Sequence, residues 1–219
     1  MTEEQLKNIA QQLRKPEGDW GIEMGKKMNV GNKLINLHTI NALVPKANDA
    51  ILEIGMGNGF FVKDIFTLEN TVQYKGCDYS KEMVNKATTL NKKLIKEGKV
   101  GFFLANADKI PFEDGEFNTV FTINTIYFWE DPQRILEEIR RVLKPNGKLI
   151  ISLRPKSSMA AYPFVKYGFD MFTKSEVFQL LRNNDFIVTN HIEKEEPGQE
   201  IDGKTMKVET LIVCAQKNQ

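Results

Sequence analysis

The sequence predicts an α/β fold: a doubly wound, mostly parallel sheet of seven strands that ends in an antiparallel hairpin. Two observations predict it. From residue 50 onward, short apolar runs of strand character alternate with amphipathic helical runs, and strands separated by crossover helices pair in parallel. Towards the C-terminus the alternation stops and two strand-like runs follow one another, which is an antiparallel pattern. A length of 219 residues suits one domain with a sizeable core.

The elements follow in order. Over residues 3–14, Leu6, Ile9, Ala10 and Leu13 share one helical face. Residues 15–32 carry Gly18, Gly21, Gly25 and Gly31 and read as a mobile loop. Residues 33–44 read as a second helix with Leu34, Leu37, Ile40 and Leu43 on its apolar side, ended by Pro45. Strands are expected at 50–55, 72–78, 101–106, 118–124 and 148–153, and helices at 59–68, 80–97 and 132–143. Ser80 is a natural N-cap, and Pro132 sits near a helix start, where proline is tolerated. A helix at 174–183 begins after Thr173. Strands at 186–194 and 205–217 follow, joined by the turn-rich run 195–204.

Composition excludes several classes. The formal net charge is +1, so no global cationic field favours nucleic acid. Two cysteines and two histidines leave little for a disulfide framework or a metal centre, and no metal is expected. No apolar run reaches the roughly 18 residues of a membrane span, and the N-terminus lacks signal-peptide character. A soluble, cytoplasmic protein is the expectation.

The strongest local signal is Glu53-Ile54-Gly55-Met56-Gly57-Asn58-Gly59, where the first parallel strand turns into a helix. In a doubly wound sheet, ligands bind beyond the carboxyl ends of the strands. Glycines there admit close backbone approach, and the helix start offers free N–H groups. A dinucleotide loop would place its third glycine at position 60, which is Phe60. The P-loop look-alike at Gly21–Lys27 is one residue short and follows no strand.

Three further motifs occur in order: Asp78 in Gly76-Cys77-Asp78-Tyr79-Ser80, then Asn106-Ala107-Asp108-Lys109-Ile110-Pro111-Phe112, then Leu143-Lys144-Pro145-Asn146-Gly147. Together with the glycine loop they resemble the class I S-adenosylmethionine-dependent methyltransferases, in the small-molecule branch that includes quinone-biosynthesis enzymes. The resemblance covers residues 48–190. It implies a Rossmann-like core from residue 48, an N-terminal helical cap over residues 1–47, and a substrate-side insertion near 154–172, all in one domain. Asn106 stands where the family has Asp, and Asn146 where it has Gly.

The resemblance implies S-adenosylmethionine as cofactor, leaving as S-adenosylhomocysteine. It assigns the cofactor to Glu53, Gly55, Met56, Gly57, Asn58 and Gly59, to Asp78, Tyr79 and Met83, to Asn106, Ala107 and Asp108, and to Asn124. Asp78 would accept hydrogen bonds from the ribose hydroxyls. Glu53, a carboxylate in an apolar strand, would face the cofactor's ammonium. Methyl transfer by in-line displacement needs alignment more than a specific catalytic group. Tyr127 and His38 are the catalytic candidates. Met24, Met28, Trp129, Tyr162 and Tyr167 are the substrate-binding candidates.

The expected acceptor is a small molecule, and the protein a monomer or homodimer without membrane insertion. Thr125 and Ile126 stand where amino-methylating enzymes of nucleic acids carry a proline pair, and neither cysteine follows a proline. Both facts weigh against nucleic acid. The helical stretch 81–99 holds six lysines against two glutamates, which reads as a solvated face. An RNA or protein methyltransferase, a nicotinamide-dependent dehydrogenase and a non-catalytic nucleotide-binding module stay open as alternatives.

Overall fold

The computed structural model describes residues 1–201 and 204–218. Its sheet has seven strands, β1 (Ala50–Ile54), β2 (Gln73–Asp78), β3 (Val100–Leu104), β4 (Phe117–Ile123), β5 (Leu143–Leu153), β6 (Phe186–Ile201) and β7 (Lys204–Lys217), ordered β3-β2-β1-β4-β5-β7-β6. The pairs from β3 to β5 are parallel, and β7 runs antiparallel to both neighbours. The chain winds outward from β1 to β3, then returns to β4. The winding therefore reverses between β1 and β4, where a crevice opens.

The helices are α1 (Glu3–Arg14), α2 (Gly18–Gly31), α3 (Lys33–Leu43), α4 (Val62–Leu68), α5 (Lys81–Leu90), α6 (Lys92–Lys96), α7 (Pro132–Val142), α8 (Lys156–Met159) and α9 (Lys174–Asn183). Alternate residues of each strand feed two cores. Val120 and Leu149 pack with Leu136 and Ile139 of α7 and Leu181 of α9. Phe121 and Ile150 pack on the other face with Ile35 and Leu43 of α3 and Ile65 of α4. The expected caps are present: Ser80 Oγ accepts the Met83 amide, and Thr173 and Glu176 form a capping box.

Four expectations need correction. The segment 15–32 is not a loop, because residues 18–31 form α2. Its glycines serve close packing. A Cβ on Gly21 would lie 2.6 Å from the Pro16 carbonyl carbon, and one on Gly25 would lie 3.3 Å from Asn58 and Met83. The helix expected at 80–97 breaks at Asn91, whose buried amide is turned inward to the Gly59 and Ala87 carbonyls. The helix expected from residue 59 starts at Val62, because Gly57 and Gly59 adopt positive φ. The two last strands run through most of the expected turn, to 201 and from 204, and the reversal at 202–203 lies outside the described residues.

Candidate active site

The crevice between the strand ends and the N-terminal helices encloses about 590 Å³. All thirteen residues assigned above to the cofactor line it, drawn from the ends of β1, β2 and β4, the loop after β3, and the first turn of α5.

The glycine loop leaves β1 in a tight turn. Gly55 has φ +71°, and a Cβ there would lie 2.3 Å from Thr125 Cγ2, so no side chain fits without displacing the loop after β4. At Gly57 a Cβ would meet nothing within 4 Å, so its backbone faces open space.

Asp78 ends β2 with its carboxylate buried. Gly57 N–H donates to Oδ2 at 3.0 Å and Ser80 N–H to Oδ1 at 2.8 Å. Burial pushes its pKa up to about 6, against the pull of the amides of Ser80, Gly57 and Tyr79. Glu53, on neighbouring β1, lines the same cavity, and Tyr74 of β2 donates its hydroxyl to Oε2 at 2.6 Å. Burial lifts Glu53 to about 7, the tyrosine bond opposes this, and the Asp78 charge adds to it. Two buried carboxylates with raised pKa values thus flank a loop with open backbone. That donor set suits a ligand with vicinal hydroxyls and a cationic group.

The N-terminal helices are fastened over this side. Tyr79 donates its hydroxyl to the Arg14 carbonyl and Ser80 donates its own to the Pro16 carbonyl, both at 2.5 Å. The Arg14 side chain pairs with Glu130 across the mouth.

A family model described as a methyltransferase domain matches residues 52–151. The protein YrhH of Bacillus subtilis (strain 168), which carries a provisional methyltransferase name, is 36% identical over 121 residues, covering 55% of this chain and 66% of that one. The demethylmenaquinone methyltransferase of Clavibacter sepedonicus is 27% identical over 156 residues, covering 71% of this chain and 60% of that one. The chain therefore spans about two thirds or less of these relatives' length. S-adenosylmethionine-dependent methyltransferases of known structure share the fold. This chain belongs to the class I S-adenosylmethionine-dependent methyltransferases.

Among solved structures, the methyltransferase chain complexed with the Trm112 activator of Haloferax volcanii superposes with a TM-score of 0.77 at 18% identity, covering 89% of this chain and 93% of that one. At that identity the likeness is one of fold.

Within this methyltransferase scaffold the other candidates divide. Met28 and Trp129 line the cavity, whereas Met24 is buried within the α2 packing. His38 sits on α3 outside the lining. Tyr127 is also outside, in the short 3₁₀ turn Ile126–Phe128. Its hydroxyl accepts the Arg154 amide at 2.6 Å and has Asn124 Oδ1 and the Arg154 carbonyl at 3.0 Å each. Burial raises its pKa further above the ordinary phenol value. The hydroxyl is a brace for Asn124 and the end of β5, with no proton free for chemistry. Tyr162 donates to Gln199 Oε1 at 2.7 Å in the C-terminal hairpin, and Tyr167 lies under the Lys7 ammonium, 5.6 Å from its ring centroid; neither lines the cavity.

The sequence reading missed Tyr74, Arg14, Asn32 and Asn36. Tyr74 carries no local signal, because only strand pairing brings it to Glu53. Asn29, Asn32 and Asn36 recur at helical spacing, and that pattern is visible once 18–31 is read as a helix.

Proposed function

We propose that the protein transfers the methyl group of S-adenosylmethionine to a small-molecule acceptor, as one domain whose residues 1–47 cap a core spanning 48–219. The observation that carries it is the buried Asp78 carboxylate beside the open Gly57 backbone, at the strand end where the winding reverses. The residues fit the cofactor. Asp78 retains acceptor capacity beyond its two amide bonds for ribose hydroxyls. Among the described residues Glu53 has no cationic partner, and it would gain one in the cofactor's ammonium. The loop Asn106–Asp108 lines the far end, where the adenine would rest.

The cofactor supplies an already activated methyl group. The chain's work is to hold, orient and exclude water. Gly55 and Gly57 let the backbone approach without side chains between. Asn124, held at φ +56° and braced by Tyr127, fixes the β4 end of the cavity. The fastened N-terminal helices cover one side of the crevice, and effective molarity supplies much of the rate, on the order of 7–11 kcal/mol. The small-molecule acceptor is supported by the enclosed volume and by the quinone-type relative.

Titration calorimetry with S-adenosylhomocysteine tests the reading. Micromolar binding to the wild type is expected, with a weakening of about tenfold to a hundredfold in Asp78→Ala, the worth of a pair of charge-assisted hydrogen bonds. No heat and no rise in melting temperature with the wild type would overturn it.

A further inference from the structure

The cavity is longer than the cofactor assignment uses, and its remaining wall has a distinct chemistry. Helix α2 crosses the crevice from one side to the other. Gly25 lies against Asn58 and Met83, over β2 and α5. At the other end the Gly31 carbonyl accepts the Arg154 guanidinium at 2.9 Å, at the C-terminal end of β5. Between these anchors one helical face is turned to the cavity: Gly25, Met28, Asn29 and Asn32, at intervals of three and four residues. Asn36 of α3 extends that stripe, and Asn124 faces it from the end of β4. From Gly25 to Asn32 the rise is about 10 Å, so the asparagines stand roughly two strands beyond Asp78.

Apart from Glu53 at the end of β1, whose charge the cofactor's ammonium would meet, this end of the cavity carries no charge. Besides Glu53 and Asp78, the charged residues of the lining are Arg14, Asp108, Glu130, Asp131 and Arg134, which come from the end of α1 and from the loops around 105–108 and 129–134, at the Asp78 end. The nearest cation on the β5 side, Arg154, is buried against Glu196 at 3.1 Å and does not line the cavity. An ionised acceptor brought here would lose its water and meet no counter-charge, which is costly. Amide side chains instead offer donors and acceptors together.

We propose that Asn29, Asn32 and Asn36 of the α2–α3 corner, facing Asn124, form the acceptor subsite, and that it selects an uncharged acceptor rich in hydroxyl or carbonyl groups. Met28 supplies the apolar contact between that subsite and the glycine loop. The proposal deepens the methyltransferase reading and rests on it.

The test uses the full chain, S-adenosylmethionine labelled in its methyl group, and a fractionated metabolite extract. The labelled product is expected in the fraction retained by neither anion nor cation exchanger at pH 7. Asn29→Asp and Asn32→Asp should each lower transfer about tenfold or more, while S-adenosylhomocysteine affinity and melting temperature stay within about twofold and a few degrees of wild type. Asn32→Ala separates loss of the amide from gain of charge and should fall between. A charged product, unaltered transfer in the Asp variants, or a matching loss of S-adenosylhomocysteine affinity would overturn the subsite. Absence of any labelled product while S-adenosylhomocysteine still binds would instead overturn the small-molecule reading beneath it.

Discussion

Glu53 and Asp78 set the pH behaviour of the unliganded protein. Both carboxyls are raised in the fold, from ordinary values of 4.5 and 3.8 to about 7 and about 6. A raised carboxyl favours the folded state while protonated. That contribution is complete below the ordinary values and is lost as pH climbs through 6 to 7. The unliganded protein should therefore melt higher at pH 5 than at pH 8, and Glu53→Gln should reduce the difference by on the order of 3 kcal/mol at most. Pairing Glu53 with a ligand ammonium favours its ionised form. Binding of S-adenosylhomocysteine at pH 6.5 should thus release protons, seen as a heat that varies with the buffer's ionisation enthalpy. An equal heat in all buffers would show that Glu53 does not change protonation on binding.

At the scale of the element, α2 is the instructive case. Four glycines in 14 residues suggest a loop by propensity, since glycine costs a helix about 1 kcal/mol relative to alanine. The fold overrides this because Gly21 and Gly25 let the helix lie against Pro16, Asn58 and Met83. Gly25→Leu should drive α2 off the glycine loop, lower the melting temperature, and weaken S-adenosylhomocysteine binding along with it. Gly31→Ala, with nothing within 4 Å, should leave both unchanged or slightly improved. The parallel core, the glycine loop and Asp78 were legible because each depends on a local pattern at a strand end. The acceptor wall was not, because it depends on a helix whose own residues disfavour it. Asn91 was hidden for a similar reason: an asparagine inside a basic helical run gives no sign that it turns inward to the Gly59 carbonyl.

Three parts of the molecule meet at Arg154. Its guanidinium joins the C-terminal end of α2 to Glu196 of β6, whose other oxygen accepts the Thr210 hydroxyl of β7, and its amide braces Tyr127 beneath Asn124. Both side chains of the pair are nearly fully buried, so removing one partner strands a charge. Arg154→Met is expected to cost roughly 3–5 kcal/mol in chemical denaturation. The double variant Arg154→Met with Glu196→Leu should recover most of that loss, since no buried charge then remains. Amide exchange in α2 should quicken in the single variant, because that helix loses its β5 anchor. No helix among the described residues is long and apolar enough to cross a membrane.

The order of the sheet has a consequence for how the protein is made. β7 is the last strand in the sequence, yet it lies between β5 and β6. During synthesis, β5 can have no neighbour on that side, and β6 has no seat in the sheet, until the stretch through Lys217 has left the ribosome. The nascent chain therefore waits with the backbone edge of β5 unpaired from Lys148 to Leu153, and a chaperone that shields exposed strands would have its longest opportunity there.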